Sequence, residues 1–185
     1  MKSQRLKPER SIILVIDPQE KLLPKIFEPE RVTKNCILLS HLAHIMGIPL
    51  VATTQYAKGL GGIVEEIRKA LSETKPMDKV EFGCFNNEAF TESIKTLGPS
   101  RNTLILCGIE SHICVAQTAL GALEGGYIVH VASDATSSRT AWNWQIGLDR
   151  MGGTGAIISS TEMIIYEMLQ RSDSPAFKAM LPHLR

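Results

Sequence analysis

The sequence has no CxxC pair, no cluster of lysine and arginine, no internal repeat and no apolar run approaching the length of a membrane span. Each gap removes a class of protein. Its four cysteines (Cys36, Cys84, Cys107 and Cys114) sit in apolar segments without metal-knuckle spacing, so neither a disulfide framework nor a zinc site is expected and the thiols should be free. Twenty basic and nineteen acidic residues give a formal charge of +1, without the basic footprint of a nucleic-acid binder. The expected partner is a neutral small molecule, with no nucleic acid and no membrane. The opening MKSQRLKPERS is polar where a signal peptide needs an apolar region, so residues 1–10 read as a polar extension and the expected location is cytoplasmic. With 185 residues, 44% of them hydrophobic, the chain suits one well-buried core, hence one domain over 1–185.

What the chain does contain is a regular alternation. Ser11 to Asp17 (SIILVID) is apolar throughout and closes on an acid, as a strand buried on both faces does. From Arg31 to Met46, Val32, Cys36, Leu39, Leu42, Ala43 and Met46 recur at helical spacing, with Gly47 as C-cap. Strands are expected again at Ile48–Thr53, Met77–Glu81, Thr103–Cys107, Tyr127–Ala132 and Gly155–Ile158. Helices are expected around Ile63–Leu71, at Asn86–Leu97, from about Ile113 to Gly125, at Ala141–Met151 and at Thr161–Leu169, with Gly59–Gly62 as a loop. Apolar strands joined by helices imply α/β class: a three-layer α/β/α sandwich around a mostly parallel six-stranded sheet, Rossmann-like in plan. Ligands of such sheets gather at the carboxyl ends of the strands.

Three residues stand at those ends: Asp17 in IDPQE, Lys79 in MDKVEF and Cys114 in GIESHIC. Gly108 breaks the strand before Cys114, which places the thiol in the first turn of a helix, where exposed N–H groups and the helix dipole favour thiolate. A carboxylate accepts the thiol's proton, and an ammonium near both stabilises either anion.

With IDPQ, the lysine and CGIESHIC in place, the sequence resembles the isochorismatase-like cysteine hydrolases from end to end. TTQYAKGLGG, LCGIESHICV and DATSSR are similar to the subgroup of isochorismatase domain-containing proteins. The resemblance implies that Asp17 is the general acid/base, Lys79 its electrostatic partner and Cys114 the nucleophile. It also implies a cis peptide joining Ile109 to Glu110, an oxyanion hole formed by the N–H groups of Glu110 and Cys114, and self-association into a homo-oligomer. Relatives that hold a metal carry Asp-x-His and a further histidine after the second strand. Thr53-Thr54-Gln55-Tyr56-Ala57 stands there instead, so no metal and no cofactor is expected.

Other residues have two readings each. Gln19, Gln55 and Tyr56 follow the first two strands and either orient substrate or satisfy loop backbone. Phe82, Cys84 and Phe85 follow Lys79 and either line the pocket or pack in the core. His112 invites a Cys–His dyad, although residues two apart in a tight turn seldom face one point. His41 and His44 lie three apart on a helix without a third ligand, so a helix-face role is expected. Trp142 and Trp144, behind hydroxyls that suit a cap, read as packing or interface residues. The expected activity is cofactor-independent hydrolysis of a small amide or related acyl compound through a cysteine thioester. Vinyl-ether hydrolysis, a non-catalytic binding module and a Cys84–Cys114 thiol sensor are the alternatives.

Overall fold

The computed structural model describes residues 5–184. Six strands, β1 (Ser11–Ile16), β2 (Leu50–Gln55), β3 (Met77–Lys79), β4 (Thr103–Ile109), β5 (Ile128–Ser137) and β6 (Ile157–Ser159), form one sheet in the order β3-β2-β1-β4-β5-β6. Every pairing is parallel. Parallel neighbours require crossovers, and the helices supply them: α1 (Pro29–Met46), α2 (Ala57–Leu60), α3 (Glu65–Leu71), α4 (Glu88–Thr96), α5 (Ala116–Glu124), α6 (Ala141–Gly153), α7 (Thr161–Leu169) and α8 (Pro175–Met180).

Side-chain alternation along β1 divides the interior. Ile13 and Val15 join Val32, Leu39 and Leu42 of α1 in one apolar layer, whereas Ile12, Leu14 and Ile16 join Phe90, Val115 and Ala119 in the other. All of these side chains are buried. The helix ends follow ordinary chemistry. Asn87 accepts from the N–H of Phe90 at α4 (2.9 Å), Thr140 accepts from Asn143 at α6 (3.1 Å), and Gly47 closes α1 in the left-handed conformation (φ 63°).

The differences from expectation have local causes. Pro29 extends α1 backward from Arg31, because proline at the first helical position gives up no bond. α2 and α8 occupy segments without a long apolar period. The first four residues of the polar extension lie outside the described residues, but Leu6 is buried and its N–H donates to Glu167 (2.9 Å). β5 continues past Ala132 through the polar run Ser133–Ser137, with a register shift: Val131 faces Leu106, whereas Thr136 faces Gly108. The Arg31 guanidinium holds this irregular stretch by donating to the carbonyls of Ser133, Asp134 and Thr136, with its Cζ 4.6 Å from the centroid of the Trp144 ring. Trp144 thus packs, whereas Trp142 is exposed.

Candidate active site

β1, β2 and β3 end side by side, and their terminal side chains form one network. Asp17 leaves β1 in the left-handed region (φ 51°), which aspartate tolerates better than most residues. Its carboxylate accepts from Thr53 Oγ1 on one oxygen and from Lys79 Nζ on the other, both at 2.7 Å. Lys79 donates further to Gln55 Oε1 (2.9 Å) and to the Phe82 carbonyl (3.4 Å). Both ends of the ion pair are buried, with side chains 2% and 1% exposed, so the charges are stable only because each is hydrogen-bonded. Burial alone would lower the lysine's pKa, but the charge and hydrogen bond of Asp17 outweigh it and the net direction is upward.

Cys114 lies beside this pair. The Ile109–Glu110 peptide bond is cis, and a single π-helical turn, Ser111–Val115, precedes α5. The Glu110 carbonyl accepts from both Ile113 (3.0 Å) and Val115 (3.2 Å), the second being the five-residue bond of a π turn. Two glycines make the placement possible. A Cβ at Gly108 (φ 107°) would overlap the Ile16 backbone, and one at Gly147 of α6 would come within 2.9 Å of Ser111 and His112.

The thiol itself departs from expectation. A cysteine at a helix start was expected to favour thiolate, yet burial first and the Asp17 carboxylate second push the Cys114 pKa well above its ordinary value, against the opposing pull of Lys79. The free protein therefore holds a protonated thiol next to a hydrogen-bonded carboxylate. Cys84 is buried near the same charges and burial raises its pKa to about 11, while its backbone N–H donates to Thr118 (3.0 Å).

Several candidate pocket residues have other employment. Gln19 is fully buried and spends its amide on backbone, donating to Gln55 O (3.0 Å) and Gly61 O (2.7 Å) and accepting from Gln55 N (2.7 Å). Gln55 likewise donates to Val80 O (2.8 Å) while its oxygen holds Lys79, so it braces the ion pair. Phe85 meets Phe90 edge-on (5.4 Å between centroids) and packs, partly buried, against the second apolar layer. The His112 ring bonds Ser138 Oγ (2.9 Å), and this partner replaces the imagined dyad. Tyr56 and Phe82 are exposed beside the Lys79 backbone: the Tyr56 N–H donates to Lys79 O (2.8 Å). His41 stacks on His183 (3.8 Å between centroids) and His44 bonds the Ala70 carbonyl, so the two face different partners. Among the described residues no group of three potential metal ligands occurs.

Thr53, bonded to Asp17, was not foreseen, because a threonine inside an apolar strand reads as an ordinary strand former. Nor was Arg139, whose backbone N–H (2.9 Å) and Nε (3.2 Å) both donate to Glu110 Oε2. A cavity of about 390 Å³ opens at that contact, lined by Lys21, Leu22, Lys25, Leu60, Glu110 and Arg139. Neither this cavity nor one of about 690 Å³ lined by α1 residues and His183 has Asp17, Lys79 or Cys114 in its wall.

Comparison with known proteins agrees with this architecture. The chain is 37% identical over 179 residues to the secreted isochorismatase effector Isc1 of Phytophthora sojae, covering 95% of this chain and 85% of that one. It is 36% identical over 174 residues to isochorismatase domain-containing protein 2 of Danio rerio, covering 94% and 86%. Among solved structures, the MAR1 ribonuclease of Caenorhabditis elegans superposes with a TM-score of 0.90 at 34% identity, covering 97% and 92% of the two chains. YcaC of Pseudomonas aeruginosa, solved with hexane-2,5-diol and covalent acrylamide, gives 0.90 at 25% identity, covering 99% and 93%. The isochorismatase domain model matches residues 11–163, a span that starts at β1 and takes in all three strand-end residues. With that match and relatives above 30% identity along nearly its whole length, the chain belongs to the isochorismatase family.

Proposed function

We propose that the protein is a cofactor-independent cysteine hydrolase of small amides or related acyl compounds. The observation that carries this reading is a buried thiol within the influence of a carboxylate that Lys79 and Thr53 already hold. Because burial and Asp17 keep sulfur protonated, nucleophile formation belongs to the encounter with substrate. Asp17 accepts the thiol proton as sulfur bonds to the acyl carbon, and the N–H groups of Glu110 and Cys114 take the developing oxyanion. Asp17 then gives its proton to the departing amine. Water, deprotonated by Asp17, cleaves the thioester and regenerates the thiol. Lys79 remains an ammonium throughout and limits the charge change at Asp17.

Support also comes from the YcaC relative, which was solved with covalent acrylamide, an amide and an electrophile. The test is mass spectrometry of the intact protein after acrylamide or iodoacetamide treatment, beside a hydrolysis screen of amides, carbamates and ureas. Selective adducts at Cys114 are expected, together with turnover that disappears in Cys114→Ala. Labelling should keep accelerating above pH 9, because the thiol titrates above its ordinary value of 9.0. Equal hydrolysis by Cys114→Ala and the unaltered chain would overturn the mechanism.

A further inference from the structure

The cavity beside Glu110 differs in charge from the molecule that contains it. Whole-chain neutrality, a formal charge of +1, gave the expectation of a neutral partner. Yet three of the six residues lining this cavity are cations, Lys21, Lys25 and Arg139, against the single carboxylate of Glu110. That carboxylate is already committed, since one of its oxygens accepts from both the backbone and the side chain of Arg139. Lys21 makes one bond, to the Gly59 carbonyl (2.8 Å), which leaves its charge uncompensated. Lys25 makes no side-chain hydrogen bond or ion pair among the described residues. The excess is local, so its field acts on whatever enters the cavity rather than on the solution at large.

Glu110 connects the cavity to the chemistry. It lines the cavity, it begins the turn that carries Cys114, and in the proposed mechanism its N–H holds the oxyanion. The proposed subsite takes the remaining atoms of a substrate whose acyl carbon meets sulfur to run past Glu110, the residue that the cavity wall and the Cys114 turn share. Leu22 and Leu60 give those atoms apolar walls before they reach the cations. We infer that this cavity is an anion subsite, and that the physiological substrate is a small amide or acyl compound bearing a carboxylate several bonds from the scissile carbon. The inference rests on the Cys114 reading for its orientation, but the subsite is measurable without turnover.

The experiment compares iodoacetate with iodoacetamide on the full chain at near-neutral pH and low salt, with glutathione as the free-thiol reference. Alkylation forms the S–C bond, expels iodide and passes the thiol proton to Asp17. Relative to glutathione, Cys114 should prefer iodoacetate by about tenfold or more, and added salt should erode the preference. The preference should fall in Lys25→Gln, which breaks no contact of the fold, and vanish in the Lys25→Gln/Arg139→Gln double variant. A glutathione-like ratio, or a preference unchanged in the double variant, would overturn the subsite. Calorimetric titration with butyrate, butyramide and inorganic phosphate decides the matter if neither reagent reaches Cys114. Butyrate binding that the double variant loses would sustain the subsite while the nucleophile reading fails. Equal binding of butyrate and butyramide, or phosphate binding without butyrate, would overturn it.

Discussion

Lys79 at the carboxyl end of β3 and His130 in the middle of β5 are both withdrawn from solvent, at 4% and 2% exposure, and the fold treats them in opposite ways. Lys79 has an acceptor in every direction: a carboxylate, an amide oxygen and a carbonyl. His130 has none among the described residues for either ring nitrogen. Alternation along β5 turns it from the layer of Val129 and Val131 toward the other, and it lies between Ile105 of β4 and Ile157 of β6. Burial lowers its pKa, the Glu167 carboxylate opposing, so the ring is neutral. A buried charge with a complete set of partners is supported by the fold, while a buried polar ring without partners among the described residues is a cost the fold tolerates.

Mutation can break this contrast from either side. Lys79→Met should destabilise most, by about 3–5 kcal/mol in urea unfolding, because it strands the Asp17 charge. The double variant Asp17→Leu/Lys79→Met should recover much of that loss without activity. A milder Lys79→Met, or no recovery in the pair, would mean that the two charges are not each other's support. Gln55→Met removes one acceptor of the lysine and one donor to Val80 O, and should cost about 1–3 kcal/mol and slow Cys114 labelling. Unchanged labelling would reduce Gln55 to a loop fastener.

From the other side, His130→Leu should stabilise by about 1–2 kcal/mol, since it deletes two orphaned nitrogens. A loss of stability would show that the ring has a partner after all. The smallest effect is in pH. A histidine whose folded pKa lies below its unfolded value of 6.5 has its stability intact above pH 6.5, and loses it as the pH falls toward the folded value. His41 is lowered in the same way, by burial and then by His183 and His44, so His130→Leu should flatten the acid slope only in part.

The centre of the sheet was legible because β1 and β4 are buried throughout, and Asp17 and Cys114 because a carboxylate and a thiol follow those runs, whereas Lys79 ends the short, half-polar β3. The supports of these groups were not. Thr53 is hidden by a residue type that strands use everywhere, and only the register of β1 against β2 brings it to Asp17. The polar continuation of β5 depends on Arg31, a hundred residues away, whose guanidinium replaces the strand partners that Ser133 and Asp134 lack. For the Cys114 thiol the sequence shows the helix start but neither the burial nor the Asp17 charge, which both push its pKa upward.

The three contacts of Lys79 have one more consequence. An ammonium has three hydrogens, and here Asp17, Gln55 and Phe82 account for all of them. Such a lysine is a standing counter-charge and not a hand: it sets the potential that an incoming molecule meets, and has nothing left with which to grip it. In the proposed subsite, grip on the far end of the substrate belongs to the outer cations, which keep donors in reserve. Changes in substrate preference should therefore accumulate at Lys21, Lys25 and Arg139, where they leave the inner ion pair untouched.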